Sequence, residues 1–382
     1  MSPWFSTAAV LGQLRDRWDL SSAESSWLTI AVQLGFVIGA VFSSATSLAD
    51  RILPRRLIMI SASIAALANA SIVLADAFIP SLLARLLTGA ALAGVYPPAL
   101  KAMSSWYRVG RGFALGAMIG ALTLGSALPH LINSIGGLRW QPLMLIVSAL
   151  TIAGGLIADR LGSDGPYGAS AAKLAPQQIG EILRNRGFRL ASLGYFGHMW
   201  ELYAMWAWIA AFYGDVFDSN RAASAAAFAV IGVGGLGSLY AGRMSDKWTR
   251  SEAAALAMRW SASVAFVIGF LVDAPPVIVL TVGLVWGFWV VADSAQFSTI
   301  VTEVVEARFV GTALTMQLAV GFTLTVFTIF LVPIVRDAHG WGWAFVLLAP
   351  GPMFGAWAMR ALRTGPKRVP EPKPPSYVSP FF

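Results

Sequence analysis

Glu201 stands 12 residues beyond Arg189 in an otherwise apolar stretch, with His198 three residues before it. Along a helix, 12 residues cover about 18 Å at 1.5 Å each. Residues three apart share a face. A carboxylate and an imidazole so placed can share or relay a proton; the competing reading is a structural hydrogen bond from Glu201 to a neighbouring helix. Asp293, with Gln296 one turn on, and Arg85, Gln317 and Gln33 also interrupt long apolar runs. An ionisable group in hydrocarbon costs about 3 kcal/mol or more, so it persists where it is paired, neutral or turned to a cavity. Arg85 can attract an anion or tune a carboxylate; it can equally snorkel or lock an ion pair. Asp293 and Gln296 could line a vestibule, or form helix-packing hydrogen bonds. The same choice holds for Gln317 and Gln33. His130 and Asn133 read as interfacial. Trp206, Trp208, Trp286 and Trp289 could wall a cavity, although membrane tryptophans more often form belts.

The elements carrying these residues must live in lipid. Of 382 residues, 57% are hydrophobic and 12% charged, and mean hydropathy is +0.68. A soluble domain carries about 25% charge, so an ordinary soluble enzyme is excluded. With Cys absent, disulfides and thiol nucleophiles are excluded, and with His numbering 3 a multi-His metal centre is disfavoured. The pI of about 10.0 does not signal nucleic acid, because the basic residues fall in short gaps between apolar runs.

A spanning helix needs about 20 mostly apolar residues. Eleven runs qualify: 27–49, 57–75, 81–103, 112–135, 140–158, 190–213, 222–241, 253–272, 277–300, 311–335 and 341–362. A twelfth run, 1–14, is short, and it is counted here as the first span. Twenty-one Lys and Arg lie in the even-to-odd loops and the tail; five (Arg15, Arg17, Arg139, Arg221, Arg336) lie in the opposite loops. That asymmetry places the even-to-odd loops and the C-terminus in the cytoplasm.

The chain also repeats itself. Asp50 in Ser47-Leu48-Ala49-Asp50-Arg51 is echoed by Asp246 in Gly242-Arg243-Met244-Ser245-Asp246-Lys247; Gly112-x-Ala114-Leu115 by Gly311-x-Ala313-Leu314; Trp140, after a Gly-rich turn, by Trp343. Three ordered echoes argue for two six-helix halves: 1–161, then a linker 162–187, then 188–363, with a Pro-rich tail 364–382 expected to be disordered. Projected back, the seventh span sets Trp4 opposite Trp200 and Met1 inside the first helix, so the first span is expected to be incomplete. Within the linker, 176–185 carries Ile179, Ile182 and Leu183 on one face. It reads as an interfacial helix or a plain tether.

Twelve spans in two halves, with a charged motif after the second, resemble the major facilitator superfamily. That family's Gly-x-Leu-Ala-Asp-Arg-x-Gly-Arg-Arg pattern is similar to Thr46-Ser47-Leu48-Ala49-Asp50-Arg51-Ile52-Leu53-Pro54-Arg55-Arg56, both glycines being replaced. The second copy follows the eighth span, and Arg85-x-x-x-Gly89-x-x-x-Ala93 resembles the family's fourth-span motif. Gly197-His198-Met199-Trp200-Glu201-Leu202 and Asp293-Ser294-Ala295-Gln296-Phe297 look like the branch labelled nitrate, nitrite or cyanate porters. Members that carry nitrate hold it with arginines in the second and eighth spans; 27–49 and 222–241 contain neither Arg nor Lys, which leaves small organic anions.

The resemblance implies an all-α membrane protein, monomeric in the bilayer, moving a small solute by alternating access. Protons would be the coupling ion, with Glu201 as acceptor, His198 as its modulator, Arg85 as electrostatic partner, and Asp293, Gln296 and Gln317 at the solute. Asp50, Arg51 and Arg55, with Asp246, Arg243 and Lys247, would form the cytoplasmic gate, a carboxylate there capping a helix or pairing with Arg. Gly112, Gly116 and Gly120 make a ridge for close helix approach. No cofactor is implied: a phosphate-binding loop is missing, as are hydrolase signatures. An exporter of amphipathic compounds and a transport-inactive sensor are the alternatives.

Overall fold

The computed structural model describes residues 1–46, 48–107, 111–163, 165–166, 179–306 and 309–362, with backbone alone for Ala49, Asp50, Ser104 and Arg111. Expectations about the Asp50 side chain, Arg108, Lys173, Arg308, residues 176–178 and the tail 363–382 lie outside the described residues. Within them the chain is helical throughout. The first span is Ser2–Phe5 and Ala8–Val10, both 3-10, then Leu11–Trp18. The second, third, fifth and sixth are Ser22–Ala45, Pro54–Ala75, Arg111–Gly136 and Trp140–Leu161, and the fourth is Phe78–Leu92 with Tyr96–Ser104. After the linker come Arg186–Val216, Asn220–Lys247, Arg250–Ala265 extended by Ile268–Leu271, and Pro276–Val290 with Ser294–Val304. The last two spans share Val310–Val346 and are separated at Gly340, before Pro350–Leu362 ends the twelfth.

Local chemistry explains the boundaries. Ser21 and Glu24, and Thr249 and Glu252, form capping boxes that start the second and ninth spans by satisfying helix-end N–H groups. Pro97 and Pro98 begin the second piece of the fourth span, and a proline rejects helical backbone in the residue before it. Gly137 (φ 52) and Gly340 (φ 82) turn the chain between the fifth and sixth and the eleventh and twelfth spans, in the left-handed region that glycine enters without steric cost.

The packing repeats with a fixed offset of 198 residues. A Cβ on Gly89 would lie 2.0 Å from Val32 O, and one on Gly287 1.8 Å from Val230 O; Gly39 meets Ala90 O at 2.3 Å as Gly237 meets Phe288 O at 1.8 Å. The second and fourth spans therefore cross as the eighth and tenth do, backbone on backbone. The helix breaks at 93–95 and 291–293 keep the same offset.

Two long seams join elements on either side of the linker. In the fifth–eighth seam, Cβ atoms on Gly112, Gly116 and Gly120 would lie 2.7, 2.5 and 3.1 Å from Gly242 O, Ser238 O and Gly235 O, so the expected glycine ridge is in close contact. The second–eleventh seam uses side chains instead: Ser44 and Thr315 hydroxyls 2.9 Å apart at one end, and Trp27 and Phe330 rings 6.5 Å apart at the other. Ile179–Arg184 does not lie free on lipid; Ile182 is buried in the protein core, because the apolar face finds the ends of the seventh and eleventh spans.

Candidate functional site

A cavity of about 720 Å³ lies between the spans and opens toward the face that carries the basic loops, with Ser43, Ser44, Lys101, Thr302 and Thr315 near its mouth. Its inner end is closed by an aromatic layer. Trp4 stands 5.0 Å from Phe36 and 5.5 Å from Tyr203 and Phe322; Phe36 is 4.5 Å from Phe322, and Phe5 is 5.5 Å from Trp206. These rings come from the first, second, seventh and eleventh spans. Edge-on and tilted contacts of this kind suit ring quadrupoles and exclude water.

The seventh span lays a stripe along the cavity. Tyr195, His198, Met199, Leu202, Tyr203 and Trp206 all line it, at the three-to-four spacing of one helix face. Tyr195, Tyr203 and Tyr96 lie within electrostatic reach of one another. The tyrosines belong to no motif of the sequence, although the stripe's period and the Pro97-Pro98 break beside Tyr96 are both visible there.

His198 is the polar centre of this wall. Its Nδ1 is 2.8 Å from Asp293 Oδ1, and its Nε2 is 2.9 Å from Ser294 Oγ. Both partners sit at the break in the tenth span, where the helix restarts at Ser294. Asp293 is buried behind the imidazole, and Ser294 borders the cavity.

The expected Glu201–His198 pair does not form. Glu201 Oε1 accepts from Ser261 Oγ and Trp286 Nε1, both at 2.7 Å, tying together the seventh, ninth and tenth spans. Three residues on one helix still diverge enough for the two side chains to meet different neighbours, and Glu201 is not among the residues lining the cavity. Arg85 likewise has no carboxylate partner among the described residues. Its guanidinium donates to Leu28 O at 2.9 Å, to Pro3 O at 2.5 Å and to Trp4 O, with Ser6 Oγ and Asn69 Oδ1 at 3.3 Å. Fully buried, it ties the backbone at the 3-10 start of the first span, Pro3 and Trp4, to Leu28 of the second span. Neither Arg85 nor Gln296 lines the cavity; Gln317 does, and its buried Nε2 has no partner among the described residues. His130 and Asn133 are buried rather than interfacial, Asn133 donating to Ala9 O and Ser224 Oγ. Of the four tryptophans, Trp206 lines the cavity, Trp208 lines a second pocket beyond the aromatic layer, Trp286 serves Glu201 and Trp289 stacks on Trp260.

At the basic-loop face, a Cβ on Gly112 would lie 2.6 Å from Asp246 Oδ1. Asp246 thus sits over the N-terminal end of the fifth span, where a negative charge is favoured by the helix dipole. Arg243 lies 4.5 Å over the Phe113 ring, on the same span. Lys247 and Arg51 are exposed, and Arg55 is half-buried beside Gly162.

A fold of this kind, with a central cavity between two seams, defines a membrane transporter. The model of the Major Facilitator Superfamily matches residues 2–313, and the chain belongs to that superfamily. In the solved structures, the crystal structure of a D-xylose–proton symporter is similar, with a TM-score of 0.74 at 14% identity over 94% of this chain and 93% of that one. A proton:xylose symporter of the same superfamily, bound to 6-bromo-6-deoxy-D-glucose, gives 0.71 at 12% over 94% and 92%. At such identities the likeness is one of fold. No curated protein matches the sequence. The protein is a secondary transporter with the twelve-helix architecture of its family, not an enzyme. Neither match singles out the nitrate, nitrite or cyanate branch.

Proposed function

We propose that this chain couples protons to the movement of a small organic anion, through the His198–Asp293 pair. The observation that carries this reading is the imidazole at the cavity wall, backed at 2.8 Å by a buried carboxylate. With neutral His198 the pair carries one negative charge; with a proton it carries none. Protonation then removes a repulsive charge beside the cavity, so proton and anion each favour the other's binding by linkage. Lys101 is the charged residue at the mouth, and the described lining holds no carboxylate. That composition disfavours the amphipathic cations of an exporter. Glu201, first expected to take the proton, becomes a brace between three spans.

The basic-loop face is taken as cytoplasmic, so the cavity is open inward. Segments 1–161 and 188–363 would rock as bodies about the tight fifth–eighth seam, with 162–187 as tether and the hydroxyl-and-ring second–eleventh seam opening more freely. Asp246, and Asp50 by repetition, would hold the inward gate with Arg243, Lys247, Arg51 and Arg55. The carrier would act as a monomer in the plasma membrane. A second reading, a neutral polyol, is favoured by the tyrosine hydroxyls, the Gln317 amide and the ring faces, and by the proton:xylose symporters of similar fold.

Proton uptake by proteoliposomes, challenged with organic acids, sugars and lipophilic cations, tests both. Uptake with acids, abolished in His198→Gln and retained in Glu201→Gln, is expected. Loss in Glu201→Gln alone would return the proton to Glu201, and uptake with sugars alone would select the second reading. Binding without flux would mark a sensor.

A further inference from the structure

Beyond the aromatic layer, on the face opposite the basic loops, lies a second pocket of about 400 Å³. That face has only five Lys and Arg in its loops, and three of them, Arg15, Arg221 and Arg336, line this pocket. They arrive from the first, eighth and eleventh spans, so only the tertiary fold gathers them. Asp215 is the one carboxylate of the described lining, and it already accepts from Trp341 Nε1 at 2.7 Å. Arg336 donates to Asp337 at 2.9 and 2.7 Å. Asp337 also accepts a hydrogen bond from Ser22 and lies near Arg15. Arg15 Nε donates to Leu20 O. Arg221 has no hydrogen bond or ion pair among the described residues, and its guanidinium packs against Gly137, whose Cβ would meet Nε at 2.8 Å. Asn133, Ser25 and Ser224 complete a polar wall, and Trp208 supplies an aromatic one.

We propose that this vestibule is an outer capture site for a small organic carboxylate, with Arg221 as the principal contact. A guanidinium fork matches a carboxylate in two parallel hydrogen bonds. With Asp215 and Asp337 beside them, the three arginines still leave one net positive charge at the concave mouth, which favours anions. Asp337 then acts as an internal competitor: it occupies Arg336 when the vestibule is empty and gives it up when the ligand's carboxylate arrives. The site rests on the transporter reading for its purpose, since solute would dock here before the aromatic layer opens. It does not rest on the His198–Asp293 coupling.

Equilibrium binding to the purified full chain tests this without requiring transport. Benzoate is the probe, and benzamide is its uncharged counterpart of equal shape. Benzoate is expected to bind saturably and benzamide not. Arg221→Gln should weaken benzoate about tenfold, the weight of one charge-assisted hydrogen bond, while Arg139→Gln, on the same face outside the pocket, leaves it unchanged. Asp337→Asn should tighten binding, a gain that misfolding cannot produce. Equal binding of benzamide, unchanged affinity in Arg221→Gln, or a loss confined to His198→Gln would each overturn the proposal, the last by placing the anion in the central cavity. Normal coupling with no benzoate binding would sink the vestibule and spare the transporter reading; binding with no coupling would do the reverse.

Discussion

His198 and Asp293 meet across the interface of the seventh and tenth spans, Nδ1 to Oδ1 at 2.8 Å, with both side chains 3% exposed. The imidazole faces the cavity and the carboxylate stands behind it, so the pair can change charge without either residue leaving its helix. His198→Gln removes the imidazole and Asp293→Asn the carboxylate behind it, so in neither can the pair pass from one negative charge to none. Solute binding is expected to persist in both, but with a pH dependence that differs from wild type. Binding titrated across a pH series in detergent measures this; a pH dependence equal to wild type in either variant would place the proton elsewhere.

Arg85 predicts a stability effect rather than an affinity effect. Arg85→Met removes the guanidinium that donates to the buried carbonyls of Pro3, Trp4 and Leu28, at about 1.5–3 kcal/mol for a hydrogen bond to a charged group. The thermal midpoint should fall sharply, while protein that remains folded keeps the wild-type affinity for solute. A selective loss of affinity, with an unchanged midpoint, would restore Arg85 to the solute site.

The two backbone crossings make a paired prediction. Gly287→Ala and Gly89→Ala bring a methyl to 1.8 and 2.0 Å from a carbonyl oxygen, so the helices must part. Each should lose about 1–3 kcal/mol, as overpacked interiors do. Gly154→Ala, with nothing within 4 Å, should instead be neutral or gain about 0.5–1 kcal/mol from the helix preference of alanine. Thermal unfolding of the three variants, compared with wild type, decides it.

Asp76 caps the third span in the left-handed region, φ 36. It accepts from Arg17 Nη2, from Arg17 Nε at 3.2 Å and from Trp18 Nε1 at 3.4 Å. The Arg17 hydrogen bond holds its carboxyl below the ordinary value. A depressed folded-state value contributes stability above the unfolded value of about 3.9, and that contribution is lost as pH falls through the folded one. Asp76→Asn should therefore lower the melting midpoint at neutral pH and approach wild type in acid. Salt should shrink the difference, since the pair is exposed.

Much of the fold was legible in one dimension because lipid imposes a one-dimensional rule. A helix must be apolar for about 20 residues to cross, so runs such as 140–158 and 222–241 announce themselves, and the loop charges between them set orientation. The repeat was legible in part. Gly112-x-Ala114-Leu115 and Gly311-x-Ala313-Leu314 showed it in sequence, whereas the matched crossings at Gly89 and Gly287 emerge only in the structure. The glycine ridge at 112, 116 and 120 also showed itself in sequence.

Side-chain partnership was not legible. His198 and Glu201 share a helix face at the coarse level of spacing, but the partner each finds depends on which neighbouring helix presents a donor or acceptor at that height. Asp293 won His198 because the tenth span breaks beside it, a break marked by no proline. Arg85 went to the backbone carbonyls of Pro3 and Trp4 in the first span and of Leu28 in the second, a meeting that no spacing in the sequence announces. Arg15, Arg221 and Arg336 lie in three separate loops of the sequence, and only the bundle's closure brings them to one vestibule. Composition and period determined that this chain spans a membrane, how often, and where it folds back on itself. Tertiary packing decided which buried polar groups meet, because hydrogen bonds and ion pairs act over about 3 Å while the residues that make them can stand 271 positions apart, as Ser44 and Thr315 do.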